Sequence, residues 1–131
     1  MFIIPFKAVP KKRPRFDGKR VYTPKEVKEF EQLVAECFKI RGERSYMNNE
    51  ALFISIVFIF KIPKSYTKKR RNSILEGKEH YTKKPDLDNL VKAILDGLNG
   101  VAYEDDRQIV GTAAFKRYGA ADEVEVSIWK L

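Results

Sequence analysis

The stretch LFISIVFIF, residues 52–60, decides the fold of this chain. It is rich in β-branched and aromatic residues and lacks a strict alternation of apolar and polar positions, which is the pattern of a strand covered on both faces. We therefore expect this strand at the centre of a sheet. The run is far too short to cross a bilayer.

A first helix is predicted after residues 23–26. Thr23 is the expected N-cap, with proline at the first helical position and Glu26 at the third, and together they form a capping box. Apolar residues recur at helical spacing from Val27 to Phe38, and Gly42 is the expected C-terminal cap. The only cysteine, Cys37, lies on this apolar face, where packing is its expected role.

A second main helix is predicted from Asp86 or Asp88, with an apolar stripe from Leu87 to Leu98 and an end at residues 97–100. Residues 73–78 form a weak helical segment. Residues 2–9 suit an edge strand or two short extended pieces because they contain Pro5, and residues 108–118 and 123–131 are typical of two further strands. The predicted class is α/β: a single compact domain, residues 1–131, with a mixed β-sheet packed against two main helices.

The charge of the chain favours a polyanionic partner. There are 26 Lys and Arg residues against 18 Asp and Glu, a net charge of +8. Composition alone does not separate nucleic acid from an acidic membrane surface. Because no segment is long and apolar enough to span a membrane and the N-terminus lacks the order of a secretory signal, we expect a cytoplasmic location.

Positive charge is concentrated in residues 11–20 and 61–84. The second segment holds nine basic residues against two acidic ones. A solvated surface is one interpretation, but the excess of one sign favours contacts with phosphates. Tyr66, Tyr81 or Phe16 could stack on exposed bases, with core packing as the alternative. The expected DNA-binding residues are Lys11, Lys12, Arg13, Arg15, Lys68, Lys69, Arg70, Arg71, Lys83 and Lys84.

The sign of the charge reverses between residues 85 and 106, which contain six acids and one base, Lys92. A bound divalent cation would reconcile these acids with a polyanionic partner. Mg²⁺ needs only one or two protein carboxylates when phosphate oxygens and water complete its shell. Asp86 and Asp88 can turn toward one point, and Lys92 lies one turn further along the same helix face. Asp105 and Asp106 can join them if residues 100–103 reverse the chain.

Each part of this cluster also has an ordinary structural interpretation. Asp86 or Asp88 can be a helix N-cap, and Asp88 with Lys92 can be a surface ion pair. The paired acids before a strand can mark a turn. Asp96 is expected to be a solvated helix residue.

Several segments together resemble the RusA family of Holliday-junction resolvases. They are residues 84–90 (KPDLDNL), Lys92, residues 96–100 (DGLNG) and residues 105–109 (DDRQI), with residues 9–15 (VPKKRPR) and 21–24 (VYTP) nearer the N-terminus. The resemblance runs along most of the chain, and its most specific part lies between Pro85 and Ile109.

The resemblance implies a small α/β protein that works as a homodimer in DNA recombination and repair and uses Mg²⁺, or Mn²⁺ as a substitute, to nick two strands of a four-way DNA junction. It implies Asp86, Asp88, Lys92 and Asp106 as catalytic residues. Asp86, Asp88 and Asp106 would be metal ligands, with Asp105 as a further candidate beside Glu104. The alternatives are a nucleic-acid-binding protein without catalysis, and a flap or general structure-selective nuclease.

Overall fold

A four-stranded mixed sheet organises the fold. The structure is a computed structural model that describes residues 1–41 and 44–131. Its elements, in chain order, are β1 (Phe2–Ile4), β2 (Arg15–Phe16), β3 (Val21–Tyr22), α1 (Lys25–Ile40), β4 (Leu52–Lys61), α2 (Lys68–Leu75), α3 (Leu87–Leu98), a 3₁₀ turn (Asp106–Gln108), β5 (Ile109–Gly119) and β6 (Glu123–Lys130). The strand order is β1-β6-β4-β5, in which β4 pairs in parallel with β5 and antiparallel with β6. The α/β prediction is confirmed, and β1 lies at an edge as expected.

The two faces of the sheet differ in what covers them. Alternate β4 side chains from Leu52 to Phe60 are buried on one face, the core face, against apolar side chains of α1 and α3. On the opposite, open face, Phe53, Ser55 and Val57 are only half-buried, Ile59 near the end of the strand is buried, and no side chain of that face belongs to the core cluster. The prediction that this strand is covered on both faces is therefore wrong for residues 53–57. Because both faces of β4 are largely apolar, its two-residue alternation cannot be read from the sequence.

Helix α1 begins without the predicted capping box. Pro24 occupies the N-cap position, and its carbonyl accepts hydrogen bonds from the amides of Val27 and Lys28, at 3.1 and 3.3 Å. No side chain caps this end, so the assignment of Thr23 as the cap is wrong. The Glu26 carboxylate pairs with Lys12 and does not reach back to the helix start. The predicted cap Gly42 lies outside the described residues.

Helix α2 lies earlier than the predicted segment, residues 73–78. Its N-cap Thr67 accepts a hydrogen bond from the amide of Arg70 at 3.2 Å, and Gly77, with a φ of +76°, follows its end. The cap therefore starts the helix inside the basic run. None of the α2 residues is buried.

Helix α3 begins after Asp86, as predicted, and ends at Leu98. Gly97 does not terminate it, contrary to prediction, because it lies within the helix where α3 meets α1. A Cβ at this position would lie 2.9 Å from the Val34 Cβ, so glycine allows the two helices to approach closely. Cys37 packs half-buried against the same core, as expected. Within residues 1–41 and 44–131, no helix is both long and apolar enough to cross a membrane.

Candidate metal and nucleic-acid site

Two predicted metal ligands lie at the N-terminus of α3. Asp86 is the N-cap residue, with an extended backbone and no capping hydrogen bond from its side chain, and Asp88 lies in the first turn. Both carboxylates are exposed, and neither makes a hydrogen bond or ion pair within the described part of the chain. The positive end of the helix dipole favours both charges. The oxygens of both carboxylates are therefore available to a ligand.

The segment before Asp86 is held against β5 by a residue that the sequence analysis did not identify. The ammonium of Lys116 donates hydrogen bonds to the carbonyls of Lys83 and Pro85, at 2.8 and 3.0 Å. The Tyr81 hydroxyl donates to the Lys84 carbonyl at 3.1 Å. These three bonds place the acid pair relative to the sheet. One lysine in an amphipathic strand gives no sequence signal for this role.

Lys92 lies one turn after Asp88, but it pairs with Asp96, the acid one turn further along α3. Its ammonium lies 3.3 Å from a carboxylate oxygen of Asp96, and its side chain is 60% exposed. Asp96 also pairs with Lys11 at 3.1 Å, and its own side chain is only 21% exposed. The prediction that Asp96 is a solvated residue is therefore wrong. Lys11, the second partner of Asp96, lies in a loop distant in sequence. Helical periodicity does not predict such a contact.

Lys11 joins its own loop to helices α1 and α3, and its pKa is raised. Its ammonium donates to Glu31 of α1 at 2.6 Å, and its amide donates to the carbonyl of Asn89 in α3 at 2.9 Å. Desolvation lowers the pKa of Lys11, but the hydrogen bonds and charges of Glu31 and Asp96 outweigh it, so the pKa is raised. This predicted DNA-binding residue thus has structural partners inside the protein.

The second acidic group lies in the turn before β5. The Asp105 carboxylate accepts a hydrogen bond from the Arg107 amide at 2.9 Å, which lowers the pKa of that carboxyl group. The buried Gln108 completes a capping box: its side-chain oxygen accepts from the amides of Glu104 and Asp105 at 2.9 and 3.2 Å. Asp105 is therefore committed to the turn. The Asp106 side chain makes no capping hydrogen bond, although its backbone carbonyl accepts from the Ile109 amide at the end of the turn.

Gln108 also joins the acidic turn to the loop before β4. Its side-chain nitrogen donates to the carbonyls of Tyr46 and Glu50, at 3.1 and 3.0 Å. With the two bonds it accepts, this side chain satisfies four backbone groups. The resemblance included Gln108, but nothing in the local sequence indicates that it is buried.

Tyr103 joins the acidic turn to α3. Its hydroxyl donates to the carbonyl of Leu95 at 2.7 Å. Burial raises the pKa of Tyr103, and the nearby carboxylates of Asp106, Asp96 and Asp105 raise it further. The side chain of Tyr103 thus links the start of the acidic turn to α3.

The predicted ligands thus lie in two groups, Asp86 with Asp88 and Asp105 with Asp106. In the part of the chain that the structure describes, no three His, Cys, Asp or Glu side chains are close enough to share one metal ion. The first group fits a hard cation such as Mg²⁺, which prefers carboxylate oxygens and keeps several waters. The availability of both carboxylates supports that fit. The structure does not bring Asp106 to them.

Predicted DNA-binding residues of the second basic segment divide into engaged and exposed side chains. The Arg70 guanidinium makes a two-pronged contact with Glu79, with N–O distances of 3.0–3.1 Å, and lies 3.7 Å from the Tyr66 ring centroid. Arg71 donates to the carbonyls of Pro63 and Tyr66. Lys83 donates to the Tyr66 hydroxyl. Exposed side chains without an ion pair to any described residue belong to Lys68, Lys69 and Lys84.

Next to α2 lies an open groove of about 720 Å³. Its lining includes the exposed His80 and four basic side chains from three parts of the chain: Lys61, Lys64, Arg71 and Arg117. Glu79 is the acid in the lining, and it is engaged with Arg70. The groove therefore presents net positive charge, as a phosphate-binding surface requires.

In the first basic segment, exposed cations lie in and just before a short strand. β2, within this segment, pairs with β3, which follows it, to form a two-stranded ribbon. Arg13 and Arg15 are exposed and lack an ion pair within the described residues, whereas Lys12 pairs with Glu26. Phe16 is 70% exposed on this ribbon. It is the most accessible of the three aromatic residues considered for base stacking.

The other two candidates belong to an aromatic cluster. Tyr81 stacks on Phe60 with ring centroids 4.3 Å apart and meets Tyr118 edge-on at 4.9 Å. Burial raises the pKa of Tyr81, and burial with the Tyr66 hydrogen bond raises that of Tyr118 to about 12. The hydrogen bond from Lys83 lowers the pKa of Tyr66. Packing thus accounts for Tyr81, while Tyr66 remains half-exposed.

Comparison with known proteins identifies the family. A family model described as "Endodeoxyribonuclease RusA" matches residues 5–129. Because the match covers nearly the whole sequence, the chain belongs to the RusA endodeoxyribonuclease family, which confirms the resemblance.

A curated relative is the "Uncharacterized protein YqaN" of Bacillus subtilis (strain 168). It is 41% identical over 69 residues, which are 51% of this chain and 49% of the relative. The chain therefore matches about half the length of that protein. The relative's name assigns no activity.

Proposed function

We propose that this protein is a metal-dependent endodeoxyribonuclease that cuts branched DNA, with four-way junctions as its substrate in recombination and repair. The observation that carries the proposal is the exposed pair Asp86 and Asp88, which has no internal partner and lies in a chain of the RusA family. An acid pair kept only for helix capping would accept backbone amides, and the Asp86 side chain accepts none.

Asp86 and Asp88 would hold the Mg²⁺ or Mn²⁺ ion. Asp106 is the third ligand that the family resemblance implies, and it would have to approach them, because no three acidic side chains in the described part of the chain are close enough to share one ion. A divalent cation in such a site supplies an acidified water molecule and neutralises charge on the phosphate. The protein contributes a helix N-terminus that presents both carboxylates, and Lys116, whose hydrogen bonds fix the preceding backbone.

Asp106 is a better third ligand than Asp105, because the Asp105 carboxylate already caps the turn. Replacing each acid by asparagine separates them. Asp106→Asn should lose cleavage, whereas Asp105→Asn should keep it, since the asparagine oxygen can still accept from the Arg107 amide. Equal loss in two folded variants would mean that both carboxylates take part.

Lys92 would bind a phosphate oxygen and neutralise charge that develops on it. Its ammonium is on the exposed side of α3, one turn from Asp88, and its 3.3 Å contact with Asp96 is a partly exposed ion pair. Such a pair contributes little free energy, about 0.5 kcal/mol. A phosphate can therefore compete for Lys92 at small cost.

The exposed cations would position the DNA backbone against the acids. The groove beside α2, together with Arg13 before β2 and Arg15 in β2, would supply charge without reading sequence. If about six phosphates are neutralised, log affinity should fall with log salt at a slope of roughly −5. A slope near zero would remove this part of the proposal.

A homodimer would place two acid sites on one junction, as paired incision requires. Sedimentation equilibrium at working concentrations tests this part separately. A monomer that still cuts one strand at a time would retain the nuclease and reject the paired incision.

The decisive experiment compares end-labelled four-way junction, flap and linear duplex DNA with Mg²⁺, using the wild type and Asp88→Asn. We expect junction cleavage by the wild type, and binding without cleavage by the variant. Equal binding with no cutting by either protein would favour a nucleic-acid-binding protein without catalysis. Preferential flap cutting would favour a general structure-selective nuclease.

A further inference from the structure

A small pocket beside the acid-bearing segment is lined by lysine and tyrosine side chains. It has a volume of about 160 Å³ and shares Lys61 and Tyr118 with the groove beside α2. Its lining also includes Lys83, which lies three residues before Asp86 in the sequence. The pocket therefore adjoins both the basic groove and the segment that leads to the candidate metal ligands.

Three lysines from distant parts of the chain line this pocket. Lys7 follows β1, Lys61 ends β4, and Lys83 precedes α3. Within the described residues, the side chains of Lys7 and Lys61 make no hydrogen bond or ion pair. Lys83 donates to the Tyr66 hydroxyl, which uses one of the three hydrogens of its ammonium group. All three lysines therefore have hydrogen-bond donors left for a ligand.

The charge of the pocket favours an anion. Among the described residues that line it, Asp122 is the acid, and its carboxylate accepts a hydrogen bond from the Lys61 amide at 2.9 Å. Three lysines against this one aspartate leave the lining with a net charge of +2. Because the protein does not neutralise this charge itself, a negatively charged group is the ligand that the lining attracts.

The size and the aromatic rings of the pocket favour a phosphate group over a base. Tyr81 already stacks on Phe60 at 4.3 Å, and the Arg70 guanidinium lies 3.7 Å from the centroid of the Tyr66 ring. These ring faces are therefore occupied. Sites for drug-sized ligands have volumes of about 300–1,000 Å³, so a pocket of about 160 Å³ suits a smaller group.

The pocket lies within a short reach of Asp86. Three residues of extended backbone span at most roughly 10 Å. Phosphates rise by about 3.4 Å per nucleotide along one DNA strand, so this reach corresponds to about three nucleotides. Lys116 donates to the carbonyls of Lys83 and Pro85 and fixes the segment between the pocket and the acids. A phosphate in the pocket would therefore be held at a set distance from a cation at Asp86.

We propose that Lys7, Lys61 and Lys83 hold one phosphate of the cut DNA strand, within about three nucleotides of the scissile phosphate, and so set the position of the cut. This rests on the proposed function and deepens it, because it assigns one phosphate of the substrate to named side chains. Lys7 and Lys61 are not among the DNA-binding residues expected from the sequence. They lie in separate segments, and only the fold brings them to one pocket.

Single methylphosphonate substitutions test the proposal, because each removes the charge of one chosen phosphate. We would place them one at a time around the branch point of a four-way junction. Binding is measured with full-length protein that carries Asp88→Asn, so that cleavage does not interfere. One position should weaken binding about tenfold, and adding Lys7→Met should remove the sensitivity at that position alone.

The lysine variants should also change affinity and the position of the cut. Lys7→Met and Lys61→Met should each weaken binding about tenfold and reduce the salt slope by about 1. With Asp88 restored, both variants should spread the cuts over neighbouring phosphodiesters. The matched control Lys39→Met changes an exposed lysine on α1 and should behave as its parent in every measurement.

Circular dichroism shows which variants fold, and Lys61→Met provides the test if Lys7→Met does not. A folded variant that keeps the parent's sensitivity at every methylphosphonate position would overturn the proposal, as would a weaker-binding variant that cuts at unchanged positions. A junction that is bound equally with every substitution would also overturn it. Binding without cutting by the wild type would reject the nuclease and, with it, the role in setting the cut, whereas the methylphosphonate series would still report on the phosphate contact.

Discussion

The two ends of α3 use carboxylates in opposite ways. At the N-terminus, Asp86 and Asp88 are exposed and without partners in the described chain. Toward the C-terminus, Asp96 pairs with Lys11 and Lys92, and beyond it Asp105 caps a turn. An engaged carboxylate stabilises the fold, whereas an unengaged pair at a helix start is available to a cation. Whether a carboxylate already has a partner within the protein, and not how many acids lie nearby, therefore distinguishes a structural acid from a candidate ligand.

The largest expected effect is on cleavage at the N-terminal end. Asp86→Asn and Asp88→Asn should each lower single-turnover junction cleavage by about 10³-fold, or about 4 kcal/mol, because each removes a charged ligand. Both asparagines are compatible with a helix start. The matched control is Asp96→Asn on the same helix, which should cut within about tenfold of the wild type. Equal loss in all three folded variants would end the distinction between the two ends.

Lys92 lies between the two ends and should follow the N-terminal group. Lys92→Met keeps the length of the side chain and removes its charge, so cleavage should fall about 10²-fold with melting temperature nearly unchanged. Lys28→Met, an exposed lysine on α1, is the control. Full activity in Lys92→Met would assign this lysine to the Asp96 ion pair alone.

Gln108 tests the structural role of the acidic turn. Gln108→Ala leaves four backbone groups without their partner, and we expect urea unfolding to show a loss of about 2 kcal/mol. The exposed Gln32→Ala variant should change stability by less than about 0.5 kcal/mol. A Gln108→Ala protein of wild-type stability would show that the turn holds without this side chain.

Lys11 should give the smallest effect, and its pH dependence has a fixed sign. Its pKa is raised in the folded state, so its stabilisation is complete below the unfolded value of 10.5 and is lost as pH rises through the folded value. Lys11→Met should lose about 1 kcal/mol at pH 7, and this difference from the wild type should shrink above pH 10.5. A difference that grows with pH would contradict the assignment.

Local patterns predicted the elements better than their ends. The apolar stripes of α1 and α3 and the strand run at residues 52–60 were sufficient for the α/β class, because periodicity reports which residues can share a core. The predicted helix ends were wrong where two neighbouring residues could both act as the cap. Thr23 and Pro24 are both suitable helix starts, and the backbone of Pro24 takes the cap. Thr67 starts α2 inside the basic run, earlier than the helical segment predicted at residues 73–78.

The residues of the candidate site could be predicted from the sequence, but the residues that they contact could not. The resemblance indicated Asp86, Asp88, Lys92 and Asp106, and their roles remain predictions. Contacts such as Lys11 with Asp96, or Lys116 with the Pro85 carbonyl, join residues far apart in sequence and depend on the tertiary fold. The same limit applies to Arg70 and Arg71, whose guanidinium groups bind the Glu79 carboxylate and the Pro63 carbonyl, respectively.

The parallel pairing of β4 with β5 has a consequence for how the chain folds. Residues 62–108, which include α2, α3 and all the candidate ligands, form the crossover between these two strands. Closing so long a segment carries an entropic cost that is recovered only when the strands pair, so this step is expected to be slow. Partly folded chains would then lack the backbone anchor from β5 that places the acids. Cleavage activity should consequently appear late during refolding, together with the last strand contacts.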